Sequence, residues 1–252
     1  MIEILILSIV QGITEFLPVS SSSHLIFISE YFNFENQSLS IDVSCHIGSF
    51  IAVMVYFQKD IFDFFKNKAL FIKIFISSLP VMIVGFFLAE TGLINNIRNL
   101  ETITWATIIF GIFLYISDKF KQIKNIKKDF TIKSAFLIGI LQVFSLIPGV
   151  SRSGIAITAG RLLNFKRVDS AKISFLLSIP ILFAVSIFGI KNIIISNDVL
   201  FTKINILSIF FSFLFSFMTI KYFLLYIKEF SMNIFVYYRI LLGALLFYIT
   251  YL

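Results

Sequence analysis

Long apolar runs, separated by short polar stretches, recur along the whole chain. Six of them are long and apolar enough to cross a bilayer, which takes about 20 residues: Ile41–Phe57, Leu70–Ala89, Ile103–Ser117, Ile173–Ile190, Ile204–Ile227 and Ile234–Leu252. Of the 252 residues, 58% are hydrophobic and 14% are charged, whereas about a quarter of a soluble domain is charged. The pattern therefore predicts an all-α polytopic membrane protein with six transmembrane helices and excludes an ordinary water-soluble domain.

Two further apolar regions, Met1–Phe32 and Lys133–Leu163, are interrupted by proline and hydroxyl residues. Pro18 precedes a run of four serines, and Pro148 precedes a Gly-Val-Ser-Arg-Ser sequence. Proline followed by hydroxyl residues ends one helix and caps the next, and each half is too short to span the bilayer. Irregular backbone at membrane depth needs cover from protein or a water-filled cavity. We therefore predict two re-entrant helix hairpins that each enter and leave on one side.

The order of these elements predicts an internal repeat. Each hairpin is followed by three spans, and an odd number of crossings inverts the second unit relative to the first. Broken helices that enter from opposite sides and meet near the midplane are typical of inverted repeats. We predict one integral-membrane domain over residues 1–252, with repeat one at 1–118, a basic cytoplasmic loop at 118–133 and repeat two at 133–252.

The distribution of basic residues predicts the orientation in the membrane. The chain has 21 Lys and Arg against 14 Asp and Glu, a net charge of +7. In the predicted topology, Arg98, Lys191 and Lys203 lie on one side, while nearly all the others lie on the opposite side. Cytoplasmic loops collect basic residues, so both termini and the first hairpin are expected to face outward. This bias explains the positive charge without nucleic acid.

The two breaks carry ionisable residues at membrane depth. An Arg or an acidic residue at the centre of a membrane helix costs roughly 2.5–3.5 kcal/mol on insertion scales, so Glu15 and Arg152 need a reason to be there. A structural ion pair is one explanation. Gln11 lies four residues before Glu15 and therefore on the same helix face, which adds a second polar group to the first break.

The neighbouring residues favour an anion site over a purely structural pair. The start of a helix offers free N–H groups and a favourable dipole to an anion, and here Ser20, Ser21 and Ser22 add hydroxyls. His24, in the same turn, can donate, accept or attack near neutral pH. In the second break Gly149 allows close backbone approach, and an arginine can grip a phosphate with two N–H groups; Ser151 and Ser153 flank it. Together these groups predict a phosphoryl site.

Three segments resemble a known family. Residues 11–21, with His24 shortly after, are similar to the first signature of bacterial undecaprenyl-diphosphate phosphatases of the bacitracin-resistance type, and residues 148–154 are similar to the second. The similarity continues through residues 168–180. The resemblance implies hydrolysis of the terminal phosphate of a C55 isoprenyl diphosphate, which regenerates the monophosphate lipid carrier for cell-wall synthesis. It also implies the bacterial cytoplasmic (inner) membrane and an active site that opens to the periplasmic face.

The resemblance also suggests roles for individual residues. The expected catalytic residues are Glu15, Ser21, His24 and Arg152, and the expected phosphate-binding residues are Arg152, Ser151, Ser153, Ser20, Ser22 and Gly149. Members of the family need a divalent cation, so we expect Mg²⁺ or Ca²⁺ at Glu15 and Gln11. The nucleophile stays open between His24, Ser21 and a water activated by Glu15 or His24.

The chain departs from the family pattern at three places. Gln11 stands at the first acidic position, which leaves one fewer anionic ligand for a metal. Ser23 stands where a glycine is usual. Ile155 and Ala156 replace the usual Ala-Thr pair, and Thr158 follows two residues later. Because that shift moves the threonine, Thr158 is left out of the predicted site.

Several alternatives stay open at this stage. A lipid-phosphate flippase or other transporter could use the same midplane anion site without hydrolysis, and a homodimer is compatible with the sequence. Asp42 and His46, four residues apart, are interpreted as a paired couple at the membrane interface. Lys221 and Arg239 are expected to extend toward an interface and keep their charges in water.

Overall fold

The protein is described here by a computed structural model that covers residues 2–32, 39–66, 68–93, 97–195 and 199–251. The described residues are mainly α-helical, and an isolated bridge joins Lys124 to Phe165. The helices are α1 (Ile2–Thr14), α2 (Ser21–Phe32), α3 (Leu39–Tyr56), α4 (Gln58–Lys66), α5 (Lys68–Glu90), α6 (Leu100–Asp118), α7 (Ile126–Asp129), α8 (Ile132–Gln142), α9 (Arg152–Leu162), α10 (Arg167–Ile195), α11 (Val199–Glu229) and α12 (Asn233–Tyr251). A 3₁₀ helix, Val143–Leu146, follows α8.

Five helices in the described part of the chain are long and apolar enough to cross a membrane. They are Lys68–Leu88, Leu100–Asp118, Arg167–Ile187, Lys203–Glu229 and Asn233–Tyr251. They coincide with five of the predicted spans, which confirms a mainly α-helical protein with several helices that are long and apolar enough to span a membrane. The sixth predicted span lies in α3, whose apolar part, Ser40–Tyr56, belongs to a shorter class together with Ile2–Thr14 and Ile132–Leu146. The full set of six spans and two hairpins therefore stays a prediction.

The two breaks share one backbone design. Ser20 (φ 73°) and Ser151 (φ 71°) both adopt the left-handed conformation, which costs a non-glycine residue about 1–2 kcal/mol. Each serine directly precedes a helix, α2 or α9. Each also caps it, because Ser20 Oγ accepts from the Ser23 N–H at 3.4 Å and Ser151 Oγ accepts from the Gly154 N–H at 3.1 Å.

Helix packing relates the two halves of the chain to each other. Helix α1 packs on α11 in the same way that α8, its counterpart in the second half, packs on α5. Likewise, α3 packs on α11 and its counterpart α10 packs on α5. The pairs α3–α10 and α6–α12 complete the arrangement. Small residues allow the close approaches, as is common between membrane helices: a Cβ at Gly12 would meet Ser212 O, and one at Gly139 would meet Ser77 O.

Arg239 lies inside the protein, so the expectation that it extends to an interface is wrong. It is fully buried in α12, and its five N–H groups donate to five backbone carbonyls. The acceptors are Thr107 O (3.1 Å), Pro18 O (3.3 Å), Val150 O (2.9 Å), Ala106 O (3.4 Å) and Gly149 O (2.8 Å). Pro18 belongs to the first break, and Gly149 and Val150 belong to the second. The Arg239 side chain therefore connects both breaks to α6 through hydrogen bonds.

A second buried arginine holds the opposite end of α9. Arg161 is fully buried and donates to the carbonyls of Asp118 (2.9 Å), Phe120 (2.5 Å), Lys121 (3.3 Å) and Phe165. Its Nε lies 3.4 Å from Asp118 Oδ1. These bonds fix the ends of α6 and α9 to the chain that leads into α10.

Candidate active site

Glu15 is the centre of the polar cluster between the two breaks. It follows the last turn of α1, where its N–H still donates to Gln11 O at 2.9 Å, and it is 7% exposed. Its Oε2 accepts hydrogen bonds from Gln11 Nε2 at 2.8 Å and from Ser21 Oγ at 3.0 Å. Its Oε1 pairs with the guanidinium of Arg152. The carboxylate therefore joins a hydroxyl from one break to a cation from the other.

The second break is hydrogen-bonded directly to the first. Ser153 Oγ donates to Leu17 O at 2.6 Å, and Ser151 Oγ lies 3.1 Å from Ser153 Oγ. Ser151 Oγ also lies 3.5 Å from Leu17 O. These contacts place Arg152, the first residue of α9, opposite Glu15. The ion pair that the sequence analysis gave as one explanation for Glu15 and Arg152 is present.

A cavity of about 330 Å³ opens beside the ion pair. It contains several of the predicted site residues and some that the sequence analysis had assigned elsewhere. Its lining includes Gln11, Glu15, Ser20, Ser21, Ser22, Ser151 and Arg152 from the predicted set, together with Asp42, His46, Arg98 and Ser145. A volume of this size is suited to a small polar group such as a phosphate or diphosphate.

His24 lies beside the cluster and points toward α12. One ring nitrogen, Nδ1, lies 2.6 Å from Ser20 O, and the other, Nε2, lies 2.5 Å from Tyr238 Oη. The imidazole also stacks on the Tyr238 ring, with centroids 5.6 Å apart. Among the described residues that line the cavity, His24 does not occur.

Two other predicted phosphate ligands bind protein groups. Gly149 (φ 96°) packs so closely that a Cβ would lie 2.6 Å from Ile103 O, and its own carbonyl accepts from Arg239. Ser153 donates to Leu17, as described above. Neither residue occurs in the cavity lining formed by the described chain. The departures from the family pattern also have local explanations, since Ser23 Oγ donates to Ser20 Oγ at 2.9 Å and Thr158 is buried within α9.

Asp42 and His46, predicted as an interface couple, line the cavity from α3. His46 Nδ1 lies 3.1 Å from Gln11 Nε2, which connects it through Gln11 to Glu15. The spacing of four residues placed both side chains on one helix face, but sequence could not tell that this face is turned toward the first break.

Comparison with known proteins supplies the family. A family described as bacitracin resistance protein BacA matches residues 4–245, which contain both breaks. The chain belongs to this family. It is 49% identical over 251 residues to a Pelagibacter ubique protein named undecaprenyl-diphosphatase, covering 99% of this chain and 98% of that protein. A protein of the same name from Alteromonas mediterranea is 37% identical over 262 residues, with 99% and 98% coverage.

The similarity to these relatives covers nearly the whole chain and is not confined to the two breaks. A third relative, the undecaprenyl-diphosphatase of Jannaschia sp., is 35% identical over 260 residues and matches 98% of this chain. The similarity therefore extends over both halves of the protein, and the resemblance seen in the two signature segments holds for the whole chain.

Proposed function

We propose that this protein is an undecaprenyl-diphosphatase, which hydrolyses the terminal phosphate of undecaprenyl diphosphate. The monophosphate carrier that it regenerates serves cell-wall synthesis, and faster regeneration confers bacitracin resistance. The observation that carries the proposal is the hydroxyl–carboxylate–guanidinium cluster of Ser21, Glu15 and Arg152 beside a cavity, in a chain of the BacA family. In this cluster Glu15 can act as an acid–base group, Ser21 supplies a hydroxyl, and the Arg152 guanidinium can bind a phosphate.

In the proposed reaction Ser21 is the nucleophile. Its hydroxyl donates to Glu15 Oε2 at 3.0 Å, so the carboxylate can accept the proton as the oxygen attacks. The Ser21 O–P bond forms while the bond from that phosphorus to the bridging oxygen breaks, and undecaprenyl monophosphate leaves with the proton from Glu15. Water then attacks the phosphorus of the phosphoserine and gives a proton to Glu15. The Ser21 O–P bond breaks, Ser21 Oγ takes the proton back from Glu15, and inorganic phosphate leaves.

Arg152 and the helix starts bind the diphosphate in this proposal. Phosphoryl transfer depends mainly on positioning and on stabilising charge at the phosphate oxygens. Arg152 pairs with Glu15 in the structure, and a bound phosphate would compete for the same guanidinium. The N–H groups at the starts of α2 and α9 add dipoles that favour an anion. His24, held between Ser20 and Tyr238, supports the start of α2 from the side away from the cavity.

The residues present fit a hard divalent cation. Gln11 Oε1 is buried and, among the described residues, has no hydrogen-bond partner, whereas Gln11 Nε2 is fixed by Glu15. With Glu15 it gives two oxygen donors at one cavity, and Mg²⁺ and Ca²⁺ both take oxygen ligands. The described part of the chain holds no group of three or more His, Cys, Asp or Glu suited to a metal, so diphosphate and water oxygens would complete the shell. When bound, the cation neutralises charge on the phosphate oxygens.

The proposal includes a membrane arrangement of six spans and two re-entrant hairpins in an inverted repeat. The matching packing pairs α1–α11 and α8–α5 support it, and so do the left-handed serines at equivalent places in the two breaks. With the basic loops in the cytoplasm, the cavity opens to the periplasmic face of the inner membrane. Arg98, one of the few basic residues assigned to that side, lies at the cavity, which agrees with this orientation.

Phosphate release from undecaprenyl diphosphate by the purified protein tests the proposal. Ser21→Ala and Glu15→Gln should each lower kcat by about 10²–10⁴-fold, the usual contribution of an acid–base group. Ser231→Ala, at the start of α12 and outside the cluster, is the matched control and should keep full activity. Full activity of Ser21→Ala would remove Ser21 as nucleophile. Translocation of a labelled prenyl phosphate by wild-type protein without phosphate release would instead favour the transporter.

A further inference from the structure

A second cavity, the apolar groove, lies between α3, α5 and α10. It has a volume of about 690 Å³, and its walls include Phe50 and Met54 from α3, Phe71 and Phe75 from α5, and Ile179 and Phe183 from α10. Several of these side chains, such as Phe71 and Phe183, are about half exposed in the isolated protein. The groove is therefore open to the bilayer along one side.

The three helices that line the groove also contribute to the wall of the active-site cavity. On α3, Asp42 and His46 line the cavity and Phe50 and Met54 line the groove. These positions follow one another every four residues on one helix face. At 1.5 Å per residue, Phe50 and Met54 lie about 6 Å and 12 Å beyond His46 along the helix.

Helix α5 repeats this order in the opposite chain direction, because Val81 lines the cavity and Phe75 lines the groove. On α10 the two linings interleave: Ile181 and Val185 line the cavity, and Ile179 and Phe183 line the groove. The Phe50 and Phe183 rings lie 5.9 Å apart, so α3 and α10 are in contact at the wall of the groove. A ligand with a polar head in the cavity thus has the apolar side chains of the groove next along α3 and α5.

We propose that the apolar groove binds the isoprene units of the substrate that are nearest to the diphosphate. This inference rests on the proposed function and adds where the lipid part of the substrate lies. An apolar chain gains little free energy by moving from the bilayer into the groove, because membrane lipid provides a similarly apolar environment. The groove therefore serves chiefly to align the chain, and so to aim the terminal phosphate at Ser21 and Arg152.

A comparison of substrates that differ in chain length tests the groove. Met54→Trp fills it, and Met218→Trp makes the same exchange at an exposed position on α11 outside it. The quantity measured is kcat/KM for undecaprenyl diphosphate divided by kcat/KM for isopentenyl diphosphate, which has a single isoprene unit. We expect Met54→Trp to lower this ratio at least tenfold, mainly through KM for the long substrate, and Met218→Trp to leave it unchanged.

Photolabelling tests the same site without a substitution. Farnesyl diphosphate with a diazirine on its second isoprene unit should label peptides from α3 and α10 of the wild-type protein. Labelling confined to other helices, or an unchanged substrate ratio in folded Met54→Trp protein, would overturn the groove assignment and leave bilayer lipid as its occupant. If wild-type protein released no phosphate from either diphosphate, the proposed function would fail, while the labelling pattern would still report on the groove.

Discussion

Replacing Arg239 by lysine tests whether one buried side chain keeps both breaks in register. The guanidinium uses all five of its donors on backbone carbonyls, whereas a lysine ammonium has three donors. At least two carbonyls then lose their partner. Hydrogen bonds to charged groups contribute about 1.5–3 kcal/mol each, so Arg239→Lys should lower the free energy of unfolding by about 3–6 kcal/mol.

The same substitution should reduce catalysis in the molecules that stay folded. Pro18 and Gly149 are two of the affected acceptors, and they lie two and three residues before Ser20 and Arg152. A displacement of about 1 Å in a catalytic group can cost about 10²-fold in rate. We therefore expect kcat for phosphate release to fall about 10²-fold in Arg239→Lys, measured in detergent and divided by the folded fraction from thermal unfolding.

Arg161→Lys provides the matched control for that measurement. Arg161 is also fully buried and donates to four backbone carbonyls, but at the other end of α9. It should lower the melting temperature and leave kcat per folded molecule within about twofold of wild type. Equal losses of kcat in the two variants would refute the argument, because a general loss of stability would then explain both.

Two further predictions concern the edges of the site. Tyr238→Phe removes the hydroxyl 2.5 Å from His24 Nε2 but keeps the stacked ring. Because His24 supports the start of α2, which carries Ser21, kcat should fall several-fold at unchanged KM, and an unchanged kcat would show that this hydrogen bond does not help to position Ser21. Chelation with EDTA should abolish phosphate release, and added Mg²⁺ or Ca²⁺ should restore it. Gln11→Leu should raise the cation concentration that is needed for half-maximal activity. Phosphate release that persists in EDTA would exclude the cation from the site.

Much of the fold could be predicted because hydropathy reports directly on membrane helices. Five predicted spans recur as helices long and apolar enough to cross a membrane, and the prolines and serines marked the two breaks that contain Ser20 and Ser151. The pairing of Glu15 with Arg152 was also accessible, because each charge alone is costly at membrane depth and each needs a partner. These inferences depend on local composition or on an energetic requirement that only a few residues can meet.

The direction in which a side chain points depends on how its helix is rotated, and that is set by packing. Sequence alone placed Arg239 at an interface, because a long basic side chain usually reaches water. In the structure, α6 packs so closely on α12 that a Cβ added at Gly111 would lie 3.2 Å from Arg239 Cβ, and the Arg239 side chain is fully buried. His24 and His46 show the same limit, since the first turns toward Tyr238 and the second lines the cavity.

The two breaks show how one backbone motif can supply two different chemical groups. Ser20 and Ser151 have the same left-handed conformation, and the next residue, which opens the helix, is Ser21 in one half and Arg152 in the other. Both of these side chains contact the same carboxylate, Glu15, from opposite halves of the chain. A site assembled in this way needs both strained serines at once, because the hydroxyl and the guanidinium reach Glu15 only while each break holds its turn. The cost of the two left-handed residues is thus offset by packing such as that of Arg239, which binds the carbonyls of both breaks.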